Sequence, residues 1–514
     1  MGTVLIKNVS NRAVAETHKQ AGIEESSAVI KRSPLIDRDF LNFPDGFMWG
    51  ASTSHFQIEG HPVEIGRRAS DWSAWCTQAG RISDNTTADS ATEFYKRYAL
   101  DVEICRNLNL NAFRLSLNWP ALCPDKPSSP KGQLKFDPET VKFYRDLLTS
   151  LKNDNVTTFV TLFHFTLPQW LAEAGGWNAT ETVEEFVRFA QLAAEEFGDL
   201  VDYWITLNEP LAYVYQGYVA GVWPPGQRGN YVGAFRAVRN MLCGHARAYA
   251  VLHQHNADAK VSFTMHWRPF MARRKWSPLD QMVRFFRDFV FNQMFPMAVQ
   301  TGKLEFPFPI STNADVRQIS GPISGLKGAM DYLAVNYYTR ELSEFRFRWP
   351  IDIFGAQSIE REFEVNCMGW ENFPDGLYNL LTYDLMPFKY NDDGTKREII
   401  ITENGYAAAF PADLSEGDWS LVDDIRVQYL TSHLQALHHA IEDGANVKGY
   451  LYWSLTDNFE WAEGLRPRFG LVRVAYPTQE RTLRKSASVY ADIARRNGFR
   501  RSISAKTTKA LASI

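Results

Sequence analysis

Residues 156–210 read VTTFVTLFHFTLPQWLAEAGGWNATETVEEFVRFAQLAAEEFGDLVDYWITLNEP. A short β-rich run, Val156–Leu162, opens the stretch, and a second, Tyr203–Leu207, nearly closes it. Between them, over Glu181–Asp199, apolar residues fall at Val183, Phe186, Val187, Ala190, Ala194 and Phe197. That is helical spacing, and Gly198 is a fitting stop. Strand, helix, strand in this order predicts two parallel strands joined by a crossover helix.

The same unit recurs on both sides. Further β-rich runs are Phe47–Ser52, Ala112–Leu117, Val261–Thr264, Tyr332–Val335, Ile399–Thr402 and Val447–Trp453, which makes eight in all. Another helical stretch covers Asp423–Asp443 and is closed by Gly444. No G-x-G-x-x-G or Walker loop follows any of these runs, which disfavours an open doubly wound sheet. The expected fold is α/β, a single (β/α)8 TIM barrel with long loops, over residues 39–498. Residues 1–38 are expected to be a flexible N-terminal extension, and residues 499–514 a basic C-terminal tail.

Composition narrows the function. The chain has 514 residues, 45% hydrophobic and 22% charged, which is globular and not disordered. Its net charge of −4 gives no basic field for nucleic acid or an anionic membrane. The five cysteines, Cys76, Cys105, Cys123, Cys243 and Cys367, are scattered and form no C-x-x-C pair. That argues against a disulfide framework and a structural zinc site. No apolar run is long enough for a membrane helix, and Val4–Ile6 is too short for a signal-peptide core. A soluble cytoplasmic protein is expected, with the sequons at Asn8, Asn85, Asn155 and Asn178 unglycosylated. Aromatic residues reach 14%, which suits sugar rings as well as cores.

In a (β/α)8 barrel, chemistry belongs at the C-terminal ends of the strands. After the first run stand Gln57-Ile58-Glu59-Gly60, after the second Asn118-Trp119, and after the third His164. Asn208-Glu209-Pro210 follow the fourth, and Asn336-Tyr337-Tyr338 the sixth. Glu403-Asn404-Gly405 follow the seventh, and Asp457-Asn458-Phe459-Glu460-Trp461 the eighth. No residue is singled out after the fifth. This is a ring of amides, carboxylates, one imidazole and aromatics. It offers no lysine for a Schiff base, no Ser-His-Asp grouping and too few clustered histidines for a catalytic metal. Glu209 and Glu403 would face each other across the barrel mouth. Two such carboxyls suit glycosidic bond cleavage, one protonated and one ionised. On spacing alone, each Glu capping a helix or pairing with an Arg remains the alternative.

The strings Thr206-Leu207-Asn208-Glu209-Pro210 and Ile401-Thr402-Glu403-Asn404-Gly405 are similar to the acid/base and nucleophile motifs of glycoside hydrolase family 1, the β-glucosidase family. Support is spread along the chain, in Phe43–Phe47, Gln57–Gly60, Phe113–Ser116, Asn336–Thr339, Trp453–Leu455, Asp457–Trp461 and Arg468–Leu471. The resemblance runs from about residue 40 to about 498. It implies a retaining β-glycosidase acting on terminal β-D-glucosyl groups, with galactosides and fucosides as further candidates. Glu209 would be the acid/base and Glu403 the nucleophile, with Tyr338 and Arg114 holding Glu403 ionised. Asn208 would contact the sugar 2-hydroxyl. Gln57, His164 and Glu460 would bind other hydroxyls, with Asn336 also placed among the substrate-binding residues. Trp453 would stack on the ring and Trp461 would donate from its indole N–H.

No cofactor or metal is implied, and the partner is a small β-glycoside. Family members are often dimers or larger, so a homo-oligomer is compatible with the resemblance. Glu59 and Asp457 are read as structural. Ser70-Asp71-Trp72 looks like a variant of the family's loop near the site mouth, and Leu465 stands where an aromatic is frequent. Alternatives are a transglycosylase using the same pair, a 6-phospho-β-glucosidase drawing on Arg466 and Arg468, and a non-catalytic sugar-binding relative. Retention of both glutamates disfavours the last, and retention of Glu460 disfavours the phosphosugar branch.

Overall fold

A computed structural model describes residues 40–60, 69–129, 132–346, 356–357, 361–409 and 419–501. Eight parallel strands form a closed barrel: β1 (Met48–Ser52), β2 (Ala112–Ser116), β3 (Thr157–Phe163), β4 (Tyr203–Asn208), β5 (Lys260–His266), β6 (Tyr332–Asn336), β7 (Glu398–Asn404) and β8 (Val447–Trp453). They pair in chain order, and β8 closes on β1. Each run read from the sequence is one of these strands. The ends differ most in β5 and β7, which continue two residues beyond Thr264 and Thr402, to His266 and Asn404.

Strands covered on both faces bury almost every residue, so they read as continuous apolar runs. One parity points inward. Ala112, Phe159, Ile205, Tyr332, Ala334, Ile400 and Leu451 pack together in one buried cluster. Two residues further along the same faces stand Arg114, Asn336 and Trp453. The register then shifts near the strand ends. Shifts fall between Ile205 and Asn208, between Val335 and Asn336, and between Ile401 and Asn404. Such irregularities re-aim side chains. They lie where Asn208, Asn336 and Glu403 leave the regular ladder.

Helices cover the outside. The main ones are α1 (Phe94–Asn107), α2 (Pro138–Asn153), α3 (Thr180–Phe197), α4 (Tyr231–His255), α5 (Met294–Thr301), α6 (Pro374–Asn379), α7 (Trp419–Glu442) and α8 (Lys485–Arg496). In α2, Asp137 caps the Thr140 N–H and Pro138 takes the first turn, where its missing N–H costs nothing. In α3 the buried stripe is Val183, Phe186, Phe189, Ala190, Ala193, Ala194 and Phe197. Val187 is only half-buried, so the stripe is rotated slightly from the expected one. Each fully buried Phe contributes about 2–3 kcal/mol by area removed from water. Helix α7 begins four residues earlier than the sequence reading, at Trp419, and Gly444 follows it at φ +97°.

Leu41–Arg500 packs as one compact unit. Its two ends meet where Asn497 donates to the carbonyls of Phe43 and Pro44 and accepts from the Trp49 indole at 2.9 Å. Residues 1–38 and 502–514 lie outside the described residues, as does most of the 61–75 loop, residues 61–68. Among the described residues no helix is long and apolar enough to cross a membrane.

Candidate active site

A cavity of about 500 Å³ opens at the C-terminal ends of the strands. Of the residues read as site residues, Gln57, His164, Asn208, Glu209, Tyr338, Glu403, Trp453, Glu460 and Trp461 line it. Arg114 and Asn336 do not. Both are fully buried and stand behind the wall, bonded to residues that do. Asn336, read as a substrate contact, spends its amide instead on Glu209 and Asn208 and its carbonyl on Thr402.

Glu403 projects from β7 and is gripped at both oxygens. Arg114 Nη1 donates to Oε1 at 2.5 Å, and Tyr338 Oη donates to Oε2 at 2.7 Å. Glu209 follows β4 in the left-handed region at φ +42°. Its N–H donates to the Thr264 carbonyl at 3.1 Å. Asn336 Nδ2 donates to its Oε1 at 2.6 Å, and His266 Nδ1 lies 3.0 Å from its Oε2. Arg114 Nη2 donates to Asn208 Oδ1 at 2.6 Å. One chain of contacts therefore runs from Glu403 through Arg114, Asn208 and Asn336 to Glu209. Phe165 and Trp461, also on the cavity wall, share positive φ values of 69° and 49°. Such conformations cost roughly 1–3 kcal/mol each and concentrate at functional sites.

The opposite wall combines amides, an imidazole, a carboxyl and aromatic rings. Gln57 Nε2 contacts Asn458 Oδ1, the Phe459 carbonyl and Glu460 Oε2 at 3.1, 2.9 and 3.2 Å. Ser54 Oγ donates to Gln57 Oε1 at 2.7 Å, which orients the amide. His164 Nε2 meets Asn208 Nδ2 at 3.1 Å, and burial together with Arg114 keeps this imidazole neutral. Its Nδ1 is buried without a hydrogen-bond partner. Trp461 stacks on Phe56 at 5.8 Å and packs against Trp72 at 4.8 Å. Asp71 fixes that wall by accepting from the Leu167 N–H at 2.9 Å. So Ser70-Asp71-Trp72 supports Trp461 from behind. Leu465 donates from its N–H to Asp84 and does not line the cavity. Glu59 accepts from Asn118 and Tyr144, and Asp457 pairs with Arg484, both away from the cavity.

His266 is the contact that sequence reading missed. The fifth run was read as ending at Thr264, yet Ser262, Thr264 and His266 share one face of a strand. That parity was the available signal. Arg268, Phe291, Glu341 and Trp370 also line the cavity, from segments with no strand-end signature.

Three buried carboxyls share this space, so they do not ionise independently. Burial, then the charges of Glu403 and Glu209, push Glu460 up to about 8. Burial pushes Glu403 up to about 7, Glu209 adds to the rise, and Arg114 and Tyr338 oppose it. Desolvation is the largest influence on Glu209 and raises it, but His266, Asn336 and Arg114 outweigh that and hold it below the usual value. The charge part of the His266 pull needs an imidazolium, while a neutral Nδ1–H can still supply the hydrogen bond. With a neutral imidazole, the full cation in contact with the pair is Arg114, on Glu403. Among the described residues no group of three or more His, Cys, Asp or Glu side chains could hold a metal.

Comparison with known proteins gives the family. The model of glycosyl hydrolase family 1 matches residues 40–499. β-Glucosidase A of Thermotoga maritima is 34% identical over 458 residues, covering 89% of this chain and 98% of that protein. A 6-phospho-β-galactosidase of Clostridium acetobutylicum is 30% identical, covering 87% and 95%. The family 1 β-glucosidase structure from Thermotoga maritima superposes with a TM-score of 0.79 at 31% identity, over 90% of this chain and all of that one. The same enzyme in complex with isofagomine lactam gives 0.79 at 32%. The chain belongs to glycosyl hydrolase family 1 and is a glycoside hydrolase of the β-glucosidase type.

Proposed function

We propose that this hydrolase is a retaining β-glucosidase in which Glu403 is the nucleophile and Glu209 the acid/base. The observation that carries the reading is the difference in grip. Glu403 is held by a permanent cation and a phenol, both of which favour the anion. Glu209 is held by an amide and an imidazole, partners that tolerate a proton. Glu403 attacks the anomeric carbon while Glu209 protonates the departing oxygen. The covalent glycosyl-enzyme is then opened by water, with Glu209 acting as base. Asn208 meets the 2-hydroxyl, where contacts tighten in the transition state. Gln57, His164 and Glu460 take other hydroxyls, Trp453 carries the ring face and Trp461 offers its N–H.

The substrates are terminal β-D-glucosides such as cellobiose and aryl glucosides, with galactosides and fucosides also accepted. The cytoplasm is the proposed setting, and the five free thiols are in keeping with a reducing compartment. An acceptor alcohol could replace water with the same pair, and product analysis at high acceptor concentration separates the two outcomes. The clostridial relative raises a 6-phosphosugar reading. Against it, Arg466 and Arg468 do not line the cavity, and the Arg468 guanidinium lies over the Tyr476 ring at 4.2 Å. Glu460 stands in the cavity instead.

Initial rates on nitrophenyl β-glucoside, β-galactoside, β-fucoside and 6-phospho-β-glucoside test the reading. Turnover of the neutral sugars with a β-configured first product supports it. Activity confined to the phosphosugar, or an α-configured first product, overturns it.

A further inference from the structure

We propose that His266 is a positioning residue for the acid/base: by holding Glu209 Oε2 through Nδ1, it decides by its own protonation which carboxyl keeps the proton the pair shares. This rests on the reading of Glu209 as acid/base and Glu403 as nucleophile.

The placement is rigid. His266 ends β5 in register with Asn336 of β6, and the Trp267 N–H donates to the Asn336 carbonyl at 2.9 Å. On the other side, the Thr264 carbonyl accepts the Glu209 N–H. Three adjacent strand ends thus fix the carboxyl and both its partners. Phe291 packs edge-on against the imidazole at 5.3 Å and Tyr338 lies at 5.8 Å. The side chain is 9% exposed, so it has little room to swing away.

The two oxygens of Glu209 meet unlike partners. At Oε1, Asn336 can only donate, because its carbonyl accepts from Thr402 Oγ1 at 2.7 Å and turns the NH₂ toward Glu209. At Oε2, the imidazole can do either. A bare Nδ1 accepts from the carboxylic acid, and Nδ1–H donates to the carboxylate. The same contact can therefore persist through both halves of the reaction.

The charged and titratable groups around the ring set the consequence. Glu403 faces Glu209 across the cavity and carries Arg114 and the Tyr338 hydroxyl. Arg268, two residues on, is engaged with Glu341. When His266 is an imidazolium, its ion pair keeps Glu209 ionised and leaves the shared proton on Glu403, which then cannot attack. When His266 is neutral, Arg114 keeps Glu403 ionised and Glu209 holds the proton.

Titration of ¹³C-carboxyl-labelled glutamates by NMR tests this in the full chain, with Glu209→Gln and Glu403→Gln as assignment variants. In both His266→Asn and His266→Phe, the Glu209 carboxyl should titrate higher by about one unit or more, and Glu403 lower. The kcat/KM profile on nitrophenyl β-glucoside should widen on both sides. His266→Asn should retain more kcat than His266→Phe, because its amide can still hydrogen-bond. Unmoved carboxyl titrations, or a profile lowered without any change of width, would overturn the proposal and leave His266 as packing. If the wild-type chain turned over no glucoside, that failure would belong to the proposed function, and the NMR titration would still decide His266.

Discussion

Glu209 and Glu403 are the same residue type at the ends of two strands of one barrel, yet their surroundings differ in kind. The Glu403 side is built from β2, β6 and β7 and supplies a guanidinium and a phenol. The Glu209 side is built from β4, β5 and β6 and supplies an amide and an imidazole. The first environment favours the anion against a burial that pushes Glu403 up to about 7. The second lets a proton come and go. The lesson is that strand position puts two carboxyls in one cavity, while in the proposed mechanism their partners divide the labour between nucleophile and proton carrier.

Breaking the Glu403 side should have the largest effect. Glu403→Gly removes the attacking atom, and rates on aryl β-glucosides should fall by roughly 10,000-fold or more. Added azide should then restore turnover and yield an α-glycosyl azide. Full activity in the variant would remove Glu403 from the chemistry. Breaking the Glu209 side should be smaller and should depend on the leaving group. Glu209→Gln is expected to slow cellobiose cleavage by about 100- to 10,000-fold, since that alcohol needs a proton to depart. A dinitrophenyl glucoside should lose much less in its first step. Equal losses on both substrates would argue that Glu209 is not the acid. The His266 substitutions are smaller still, shifting the pH range more than the maximum rate.

Much of this was legible in the sequence, because parallel barrel strands are short, apolar and regularly spaced. Val447–Trp453 matches the observed β8, and Glu209 and Glu403 stand where their motifs place them. Asn336 was legible as a strand-end residue but not as a partner of Glu209. The shift between Val335 and Asn336 that aims it is a feature of three-dimensional pairing. His266 was lost because Met265-His266-Trp267 does not look like a continuing β run, although its parity with Thr264 pointed inward. No residue of the outer wall was read as a site residue. Arg268, Phe291, Glu341 and Trp370 come from connecting segments whose approach to the cavity follows from packing between distant parts of the chain.

The division of labour can be tested in one step by trapping the intermediate. The protein would be incubated with a 2-deoxy-2-fluoro-β-glucoside bearing a good leaving group, digested, and mapped by mass spectrometry. The account predicts one fluoroglucosyl group on the peptide that contains Glu403. A label on the peptide containing Glu209 would contradict it, as would turnover that leaves no covalent adduct and releases the inverted sugar.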